Sequence, residues 1–121
     1  MNIESSYQVA ESIMRKHASS FYEAFDKIER AKFLDIAAVY AFCRYADDLA
    51  DTKSHSRVMK LQLLNVLEEE VKSLYEGGRQ EEQYKKYNWW LAFENAVRIR
   101  KIPLEALLEQ IDGCLLYTSP S

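Results

Sequence analysis

Hydrophobic residues recur every three or four positions along most of this chain, the spacing that places them on one face of an α-helix. The first such run predicts an amphipathic helix over residues 3–17. Ala18, Ser19 and Ser20 interrupt the run and can cap a short, aromatic-rich second helix or turn that ends around residues 27–30. The third helix should run from about residue 30 to residue 51 or 52, because no glycine or proline falls inside it and alanine is prominent among its middle residues.

The pattern continues with a fourth helix. Serines in a polar linker over 53–57 can cap this helix, and Gly77 and Gly78 stop it. The three glutamates over 68–70 are expected to form a solvated charge run. The expected core edge consists of Val58, Leu61, Leu64, Leu67, Val71 and Leu74.

Two further helices and the composition indicate the fold class. A polar stretch over 79–86 precedes the fifth helix, whose Trp89 and Trp90 are expected in the core, and Pro103 suits the first turn of the sixth. With 48% hydrophobic residues but only 3 glycines and 2 prolines, the chain has too few turn formers for many short strands. The prediction is an all-α fold of about six helices, joined by short loops and packed around one apolar centre.

The end of the chain breaks the pattern. After Gly113 the sequence reads CLLYTSPS, in which we find no helical repeat. These residues resemble the translation of the mosaic-end adapter used in transposon-based sequencing libraries. We therefore expect residues 114–121 to be non-native, and residues 1–113 to be a natural portion cut short by the end of a sequence read.

Charge and cysteine content exclude several functional classes. A net charge of −3 gives no electrostatic footprint for nucleic acid, so no nucleic-acid partner is expected. The two cysteines, Cys43 and Cys114, make neither a disulfide framework nor a zinc ligand set, and Cys43 is expected to be a small buried apolar side chain. We expect neither a leader segment nor a membrane span of about 18 apolar residues, and infer a cytoplasmic location.

An acidic cluster ends the third predicted helix. Asp47 and Asp51 share a face one turn apart, Asp48 borders that face, and Arg44 lies one turn earlier. The carboxylates repel one another and the negative end of the helix dipole, at a cost of a few tenths of a kcal/mol per contact. A bound divalent cation would offset this cost. The whole stripe consists of Phe33, Ala37, Tyr40, Arg44, Asp47 and Asp51.

Magnesium suits this stripe. It prefers oxygen ligands, keeps several waters, and is usually held by one or two carboxylates together with substrate phosphates. Arg44 can donate hydrogen bonds to phosphate oxygens, and Phe33, Ala37 and Tyr40 continue the stripe as an apolar surface. The arrangement therefore favours a substrate with a diphosphate head and an apolar tail, whose diphosphate the metal stabilises as a leaving group.

Spacing alone leaves other interpretations open, the simplest being an ordinary solvated helix face. An EF-hand is excluded because the alternating acidic ligands and central glycine do not follow Asp47. A di-iron bundle is disfavoured because neither His17 nor His55 lies three residues after a glutamate. A helical interaction module and a structural metal-binding bundle, neither of them catalytic, remain as alternatives.

Two segments, HASSFYEAF at 17–25 and VYAFCRYADDLAD at 39–51, resemble the squalene and phytoene synthases, including the bacterial dehydrosqualene synthases. The resemblance extends over residues 1–113, and IDG at 111–113 is similar to the start of a further family segment. It implies the helical terpenoid-synthase fold. It also implies a transferase of isoprenoid, carotenoid or hopanoid biosynthesis that condenses two farnesyl or geranylgeranyl diphosphates head to head, through a cyclopropyl diphosphate.

The resemblance implies roles for individual residues. Asp47, Asp48 and Asp51 would form the first magnesium-binding motif, with Asp47 and Asp51 as direct ligands. Asp47, Asp51 and Tyr40 would take part in catalysis. The residues implied to contact the diphosphate are His17 and Arg44, and those implied to line the prenyl pocket are Ser20, Phe21, Phe25 and Tyr40.

Several of these residues also have simpler interpretations. His17 alone is an ordinary helix-end histidine favoured by the dipole, and Phe21 and Phe25 alone are core residues. Head-to-tail prenyltransferases and terpene cyclases share the carboxylate chemistry, but the segment over 17–25 favours the head-to-head class.

The family holds magnesium with a second aspartate-rich motif, which these 121 residues lack. We therefore expect the chain to be inactive by itself and to leave apolar helix faces uncovered. NADPH would be a cofactor of the intact enzyme only if its product is squalene. An oily product favours peripheral association with a membrane.

Overall fold

The computed structural model describes residues 1–25 and 27–118, and this part of the chain contains helices and no strand. The all-α prediction is confirmed. None of the described helices combines the length and the apolar character needed to cross a bilayer. In chain order the helices are α1 Ile3–His17, α2 Ser19–Ala24, α3 Arg30–Asp51, α4 Arg57–Tyr75, α5 Glu81–Lys86, α6 Trp90–Arg100 and α7 Leu104–Thr118.

The helices are grouped into two compact units. The first unit comprises Met1–Phe42 and Glu81–Ile102. The second comprises Cys43–Gln80 and Pro103–Ser121, of which residues 119–121 lie outside the described part. Helix α3 therefore contributes its first part to one unit and its last part to the other.

The first unit has an aromatic core. Helix α1 packs against α2 and α6, and α5 packs against α6. The rings of Phe42 and Phe93 stack with their centroids 4.6 Å apart, and Trp90, which contacts Phe93 edge-on, is fully buried, as predicted. The buried aromatic residues here are Phe33, Phe42, Tyr87, Trp89, Trp90 and Phe93.

One helix of the first unit is capped by another. The residue before α6, Trp89, provides no side-chain cap. Instead the buried Ser6 hydroxyl of α1 accepts a hydrogen bond from the Ala92 N–H at 2.9 Å. Because the first N–H groups of a helix have no partner within it, this contact satisfies one of them and joins α1 to α6.

Buried acids of the first unit are matched by arginines. The Glu11 carboxylate accepts two hydrogen bonds from Arg30, at 2.9 and 2.7 Å, so α1 is tied to the start of α3. Asp35 accepts from Arg100 Nε at 2.7 Å and from the Tyr7 hydroxyl, which joins α3 to α6 and α1. Burial, reinforced by the bond to Asp35, raises the pKa of Tyr7 to about 12.

The second unit has an aliphatic core in which α4 packs against α7. Helix α4 begins as predicted, with the Ser56 hydroxyl accepting from the Met59 N–H at 3.2 Å. It ends before Gly77, whose φ of +78° is a conformation that glycine adopts without steric cost. The buried residues of the two helices are Leu64, Leu67, Glu70, Val71, Leu74, Leu107, Ile111, Cys114 and Thr118.

The structure corrects several predictions. Ser19 and Ser20 do not cap α2; both lie inside it, the preceding residue is Ala18, and no side-chain cap is formed. Glu70 is buried instead of solvated, whereas Val58, expected at the core edge, is 61% exposed. The polar stretch over 79–86 contains α5, in which acidic residues at the start and basic residues at the end complement the helix dipole.

The helical pattern also continues past Gly113, contrary to prediction. Helix α7 reaches Thr118, and Cys114 and Thr118 extend the buried stripe of Leu107 and Ile111 at intervals of three and four residues. The predicted adapter origin of residues 114–121 is a statement about the gene and stays a prediction; residues 119–121 of that segment lie outside the described chain.

Candidate functional site

The acidic end of α3 faces solvent in the second unit. Asp47, Asp48 and Asp51 are all exposed, whereas the interleaved Ala46, Leu49 and Ala50 are buried. The alternation follows from the helical repeat, because the small apolar residues take the inner face and leave the carboxylates outside. The three charges therefore keep their hydration and remain accessible to a ligand.

A surface pocket opens beside two of these aspartates. It has a volume of about 400 Å³ and lies between the end of α3 and the outer face of α7. Asp47 and Asp51 both line it, which brings together the two carboxylates expected to bind the metal directly. The lining residues are Asp47, Ala50, Asp51, Glu109, Gln110, Gly113, Cys114 and Tyr117.

Helix α7 contacts the Asp47 carboxylate. Gln110 Nε2 donates a hydrogen bond to Asp47 Oδ1 at 3.0 Å. The Cys114 thiol donates to the same oxygen at 3.4 Å, a weaker contact because a thiol is a poor donor. Both donors are neutral, so the carboxylate is held in place without its charge being neutralised.

Asp48 and Arg44 form a separate pair. Arg44 Nε lies 3.1 Å from Asp48 Oδ1, with 38% of the arginine and 54% of the aspartate side chain exposed. The Arg44 Nε atom is itself buried, and its contact with Asp48 is not aligned as a hydrogen bond. Neither residue lines the pocket, so the structure groups Asp48 with Arg44 and not with Asp47 and Asp51.

The donor set of the pocket fits magnesium as a partial site. Within residues 1–25 and 27–118, no group of three or more histidine, cysteine, aspartate or glutamate side chains is arranged to hold a metal ion. Asp47 and Asp51 are instead a pair of exposed carboxylates beside an open surface pocket. Because magnesium keeps several waters and is commonly held by only one or two carboxylates plus phosphate oxygens, such a pair suits it.

The other predicted site residues belong to the first unit. His17 is exposed in the last turn of α1, beside Arg15 and Lys16. Ser20 is exposed on α2. Tyr40 is half-buried on α3.

Two aromatic residues of the first unit, Phe21 and Phe25, form a pair. Their rings stack with centroids 6.1 Å apart, and Phe21 is 62% exposed. Phe21 is therefore not a core residue in this structure, and it presents an apolar ring to solvent. The half-buried Phe25 supports that ring from one side.

The cysteines are poor candidates for nucleophiles. Burial and the nearby Asp47 charge raise the pKa of Cys43 to about 11. Burial, together with the hydrogen bond to Asp47, raises the pKa of Cys114 to about 12. At neutral pH both remain thiols, and the thiolate is the reactive form. Cys43 is half-buried, a little more accessible than predicted.

Sequence reasoning missed the contribution of α7 to the pocket. Glu109, Gly113 and Tyr117 follow one another at intervals of four residues, and so do Gln110 and Cys114. The two rows are adjacent on the helix surface, and the second reaches the buried stripe at Cys114, so the helical repeat alone was a sufficient signal. It was overlooked because the helix was predicted to end before Cys114.

Comparison with known protein families identifies one to which the sequence of this chain is similar. A family model described as squalene/phytoene synthase matches residues 14–119, which include α2, α3, the aspartates at the end of α3 and the pocket-lining face of α7. The match covers well over half of the chain. The chain therefore belongs to the squalene/phytoene synthase family.

Proposed function

We propose that the protein takes part in the head-to-head condensation of two prenyl diphosphates, farnesyl or geranylgeranyl, to a squalene- or phytoene-type hydrocarbon. The observation that carries this proposal is the placement of Asp47 and Asp51 at one pocket, at the end of a helix within the region matched by the family. Membership of the family supports a transferase of isoprenoid biosynthesis. The substrates and the metal are the parts that we add.

Asp47 and Asp51 would hold magnesium through their exposed carboxylates. When bound, magnesium would neutralise a diphosphate and stabilise it as a leaving group. On the basis of their ion pair, we propose that Asp48 positions the Arg44 side chain. Arg44 would bind the diphosphate oxygens when a substrate competes with Asp48 for it. In this proposal the three aspartates do not contribute equally, because Asp48 does not line the pocket.

Five residues of the first unit are proposed to contact a prenyl diphosphate because the family resemblance implies this role for them. His17 and Ser20 present exposed polar groups, and a histidine near neutral pH can bind an oxyanion. The exposed Phe21 ring, stacked on Phe25, offers an apolar surface that a prenyl chain would remove from water. We propose that Tyr40 also contacts the prenyl chain and takes part in catalysis.

Two further parts of the proposal concern the intact enzyme. We infer that turnover requires a second aspartate-rich segment, so that the 121 residues alone bind diphosphate weakly and form no product. NADPH would enter only if the product is squalene. Peripheral association with a membrane is proposed from the oily nature of the product.

The decisive experiment measures binding of farnesyl diphosphate to the 121-residue chain by calorimetry, with and without magnesium. We expect binding that requires magnesium and weakens about tenfold or more in Asp51→Asn, a loss of at least about 1.4 kcal/mol. Asp48→Asn, the matched control, should weaken it about twofold or less, because an exposed ion pair contributes little. Equal effects of the two variants would contradict our assignment.

The same measurement discriminates against a protein without catalysis. A helical interaction module should be indifferent both to magnesium and to Asp47→Ala. Incubation with magnesium and either farnesyl or geranylgeranyl diphosphate tests the inactivity of the isolated chain, since formation of a condensed hydrocarbon would show that expectation to be wrong.

A further inference from the structure

Asp47 differs from its two neighbouring aspartates in being fixed by another helix. Gln110 Nε2 and the Cys114 thiol both donate to it, and both to the same oxygen, Oδ1. Asp48 instead faces Arg44 on its own helix. Asp47 is thus the acid whose orientation depends on the packing of α7.

The two contacts leave the carboxylate asymmetric. A carboxylate offers about four acceptor positions, two on each oxygen. Both donors from α7 contact Oδ1, Gln110 more strongly than Cys114, and neither of them contacts Oδ2. Oδ2 is therefore the oxygen that these two contacts leave open to a cation.

We propose that Gln110 is a positioning residue for the metal site: its hydrogen bond to Oδ1 fixes the Asp47 side chain so that Oδ2 is the oxygen offered to the divalent cation. This inference rests on the proposed magnesium site and adds to it a specific residue outside the aspartate-rich segment. Gln110 does not contact the cation in this arrangement.

The chemistry of glutamine suits this role. A lysine or arginine at the same place would hold the carboxylate through its charge and would repel a cation from it. The neutral amide restricts the side chain of Asp47 and leaves its full negative charge available. Mutation of a residue that orients a metal ligand in this way commonly lowers metal affinity about tenfold or more.

The core of the second unit holds Gln110 in place. Leu107 and Ile111, on either side of it in α7, are 3% and 0% exposed, and α7 packs against α4. Gln110 itself is half-buried, so its amide reaches Asp47 from an anchored turn of helix. The packing of α7 on α4 thereby sets the geometry of a carboxylate on α3.

The test uses the full 121-residue chain and manganese(II) as the probe cation, whose free concentration is followed by electron paramagnetic resonance. Gln110→Met keeps the length of the side chain and removes the donor. Gln62→Met, at an exposed position of α4, is the matched control. We expect Gln110→Met to weaken manganese binding about threefold to tenfold. This lies at or just below the usual effect of losing a partner that orients a metal ligand, because the hydrogen bond is partly solvated. Gln62→Met should leave manganese binding unchanged.

A second readout reports orientation without any metal. Three-bond couplings of the Asp47 β-protons, measured by NMR, should indicate one dominant χ1 rotamer in the wild type and rotamer averaging in Gln110→Met. Cys114→Ala, which removes the weaker donor, should change the couplings less and the manganese affinity by about twofold or less. Unchanged couplings in Gln110→Met, or a larger effect of Cys114→Ala, would overturn the role of Gln110.

Asp47→Asn distinguishes failure of this inference from failure of the site itself. If Asp47→Asn abolishes manganese binding while Gln110→Met binds like the wild type, Gln110 has no positioning role and the proposed site stands. If the wild type does not bind manganese, or binds it equally well after Asp47→Asn, the proposed site is wrong and the role of Gln110 falls with it.

Discussion

Two pairs of acidic side chains, one in each compact unit, are placed in opposite ways. In the first unit Glu11 and Asp35 are 7% and 6% exposed, and each accepts hydrogen bonds from an arginine that joins two helices. In the second unit the aspartates at the end of α3 are exposed, and Asp47 and Asp51 line a pocket. The same chemical group stabilises the structure in one place and is accessible to ligands in the other.

This difference gives a physical criterion for separating the two roles. A buried carboxylate is expensive unless its hydrogen-bonding capacity is filled, so a cation from a neighbouring helix accompanies it. An exposed carboxylate has no such need, and several of them close together raise the local negative charge without a structural benefit. Exposure combined with clustering therefore marks the end of α3 as the candidate for binding a metal.

The largest effect should come from a matched pair of substitutions in the two units. Asp35→Ala removes the acceptor of both Arg100 and the Tyr7 hydroxyl, and should lower the free energy of unfolding by about 2–4 kcal/mol. Arg100 is 38% exposed, so water recovers part of the loss. Asp47→Ala at the exposed site should change stability by about 0.5 kcal/mol or less. Urea unfolding followed by circular dichroism measures both.

Equal destabilisation by these two substitutions would remove the distinction between structural and accessible acids. A fall in stability for Asp47→Ala as large as that for Asp35→Ala would mean that the contact of Asp47 with Gln110 is mainly structural. The proposed metal site would then lose its physical basis.

The main helices could be predicted from the sequence because their signals are local. The bounds predicted for α1 and α3 agree with the structure, and Ser56 caps α4 as expected. These features depend on the apolar repeat, on the absence of glycine and proline, and on a side chain reaching its own helix. The exposed aspartates at the end of α3 were also predictable, since their spacing alone places them on adjoining faces.

Features that depend on contacts between helices could not be predicted in this way. The burial of Glu70 and the capping of α6 by Ser6 both require knowledge of which helices are neighbours. The role of Gln110 is of the same kind, because its partner Asp47 lies far away in the sequence. The pocket was missed for a different reason, namely that no helical repeat was found after Gly113, so that Cys114 and Tyr117 were not expected on α7.

A smaller effect should distinguish a buried cap from an exposed one. Ser6→Ala in the first unit leaves the Ala92 N–H without an acceptor in a buried position, and should cost about 2 kcal/mol. Ser56→Ala in the second unit removes an ordinary cap in an exposed position, where water can replace it, and should cost about 1 kcal/mol or less. Thermal unfolding of the two variants makes the comparison, and a larger loss for Ser56→Ala would show that water does not replace the exposed cap as we assume.

The smallest expected effect is the pH dependence of the Glu11 ion pair. The hydrogen bonds from Arg30 lower the pKa of Glu11 below its usual 4.5, against the opposing effect of burial, and Tyr22 and Arg15 add to the lowering. A carboxylate with a lowered pKa stabilises the fold at pH values above its unfolded pKa, and the stabilisation is lost as the pH falls through the folded value. Glu11→Gln should therefore be less stable than the wild type by about 1–2 kcal/mol at pH 7, with the gap closing below about pH 4.5.

Melting temperatures between pH 7 and pH 3 measure this gap, with Glu23→Gln at an exposed position as the control for the loss of one carboxylate. A gap of constant size across that range would show that Glu11 contributes through packing and neutral hydrogen bonds, and Glu11 would then no longer support the contrast between buried, paired acids and exposed, accessible ones.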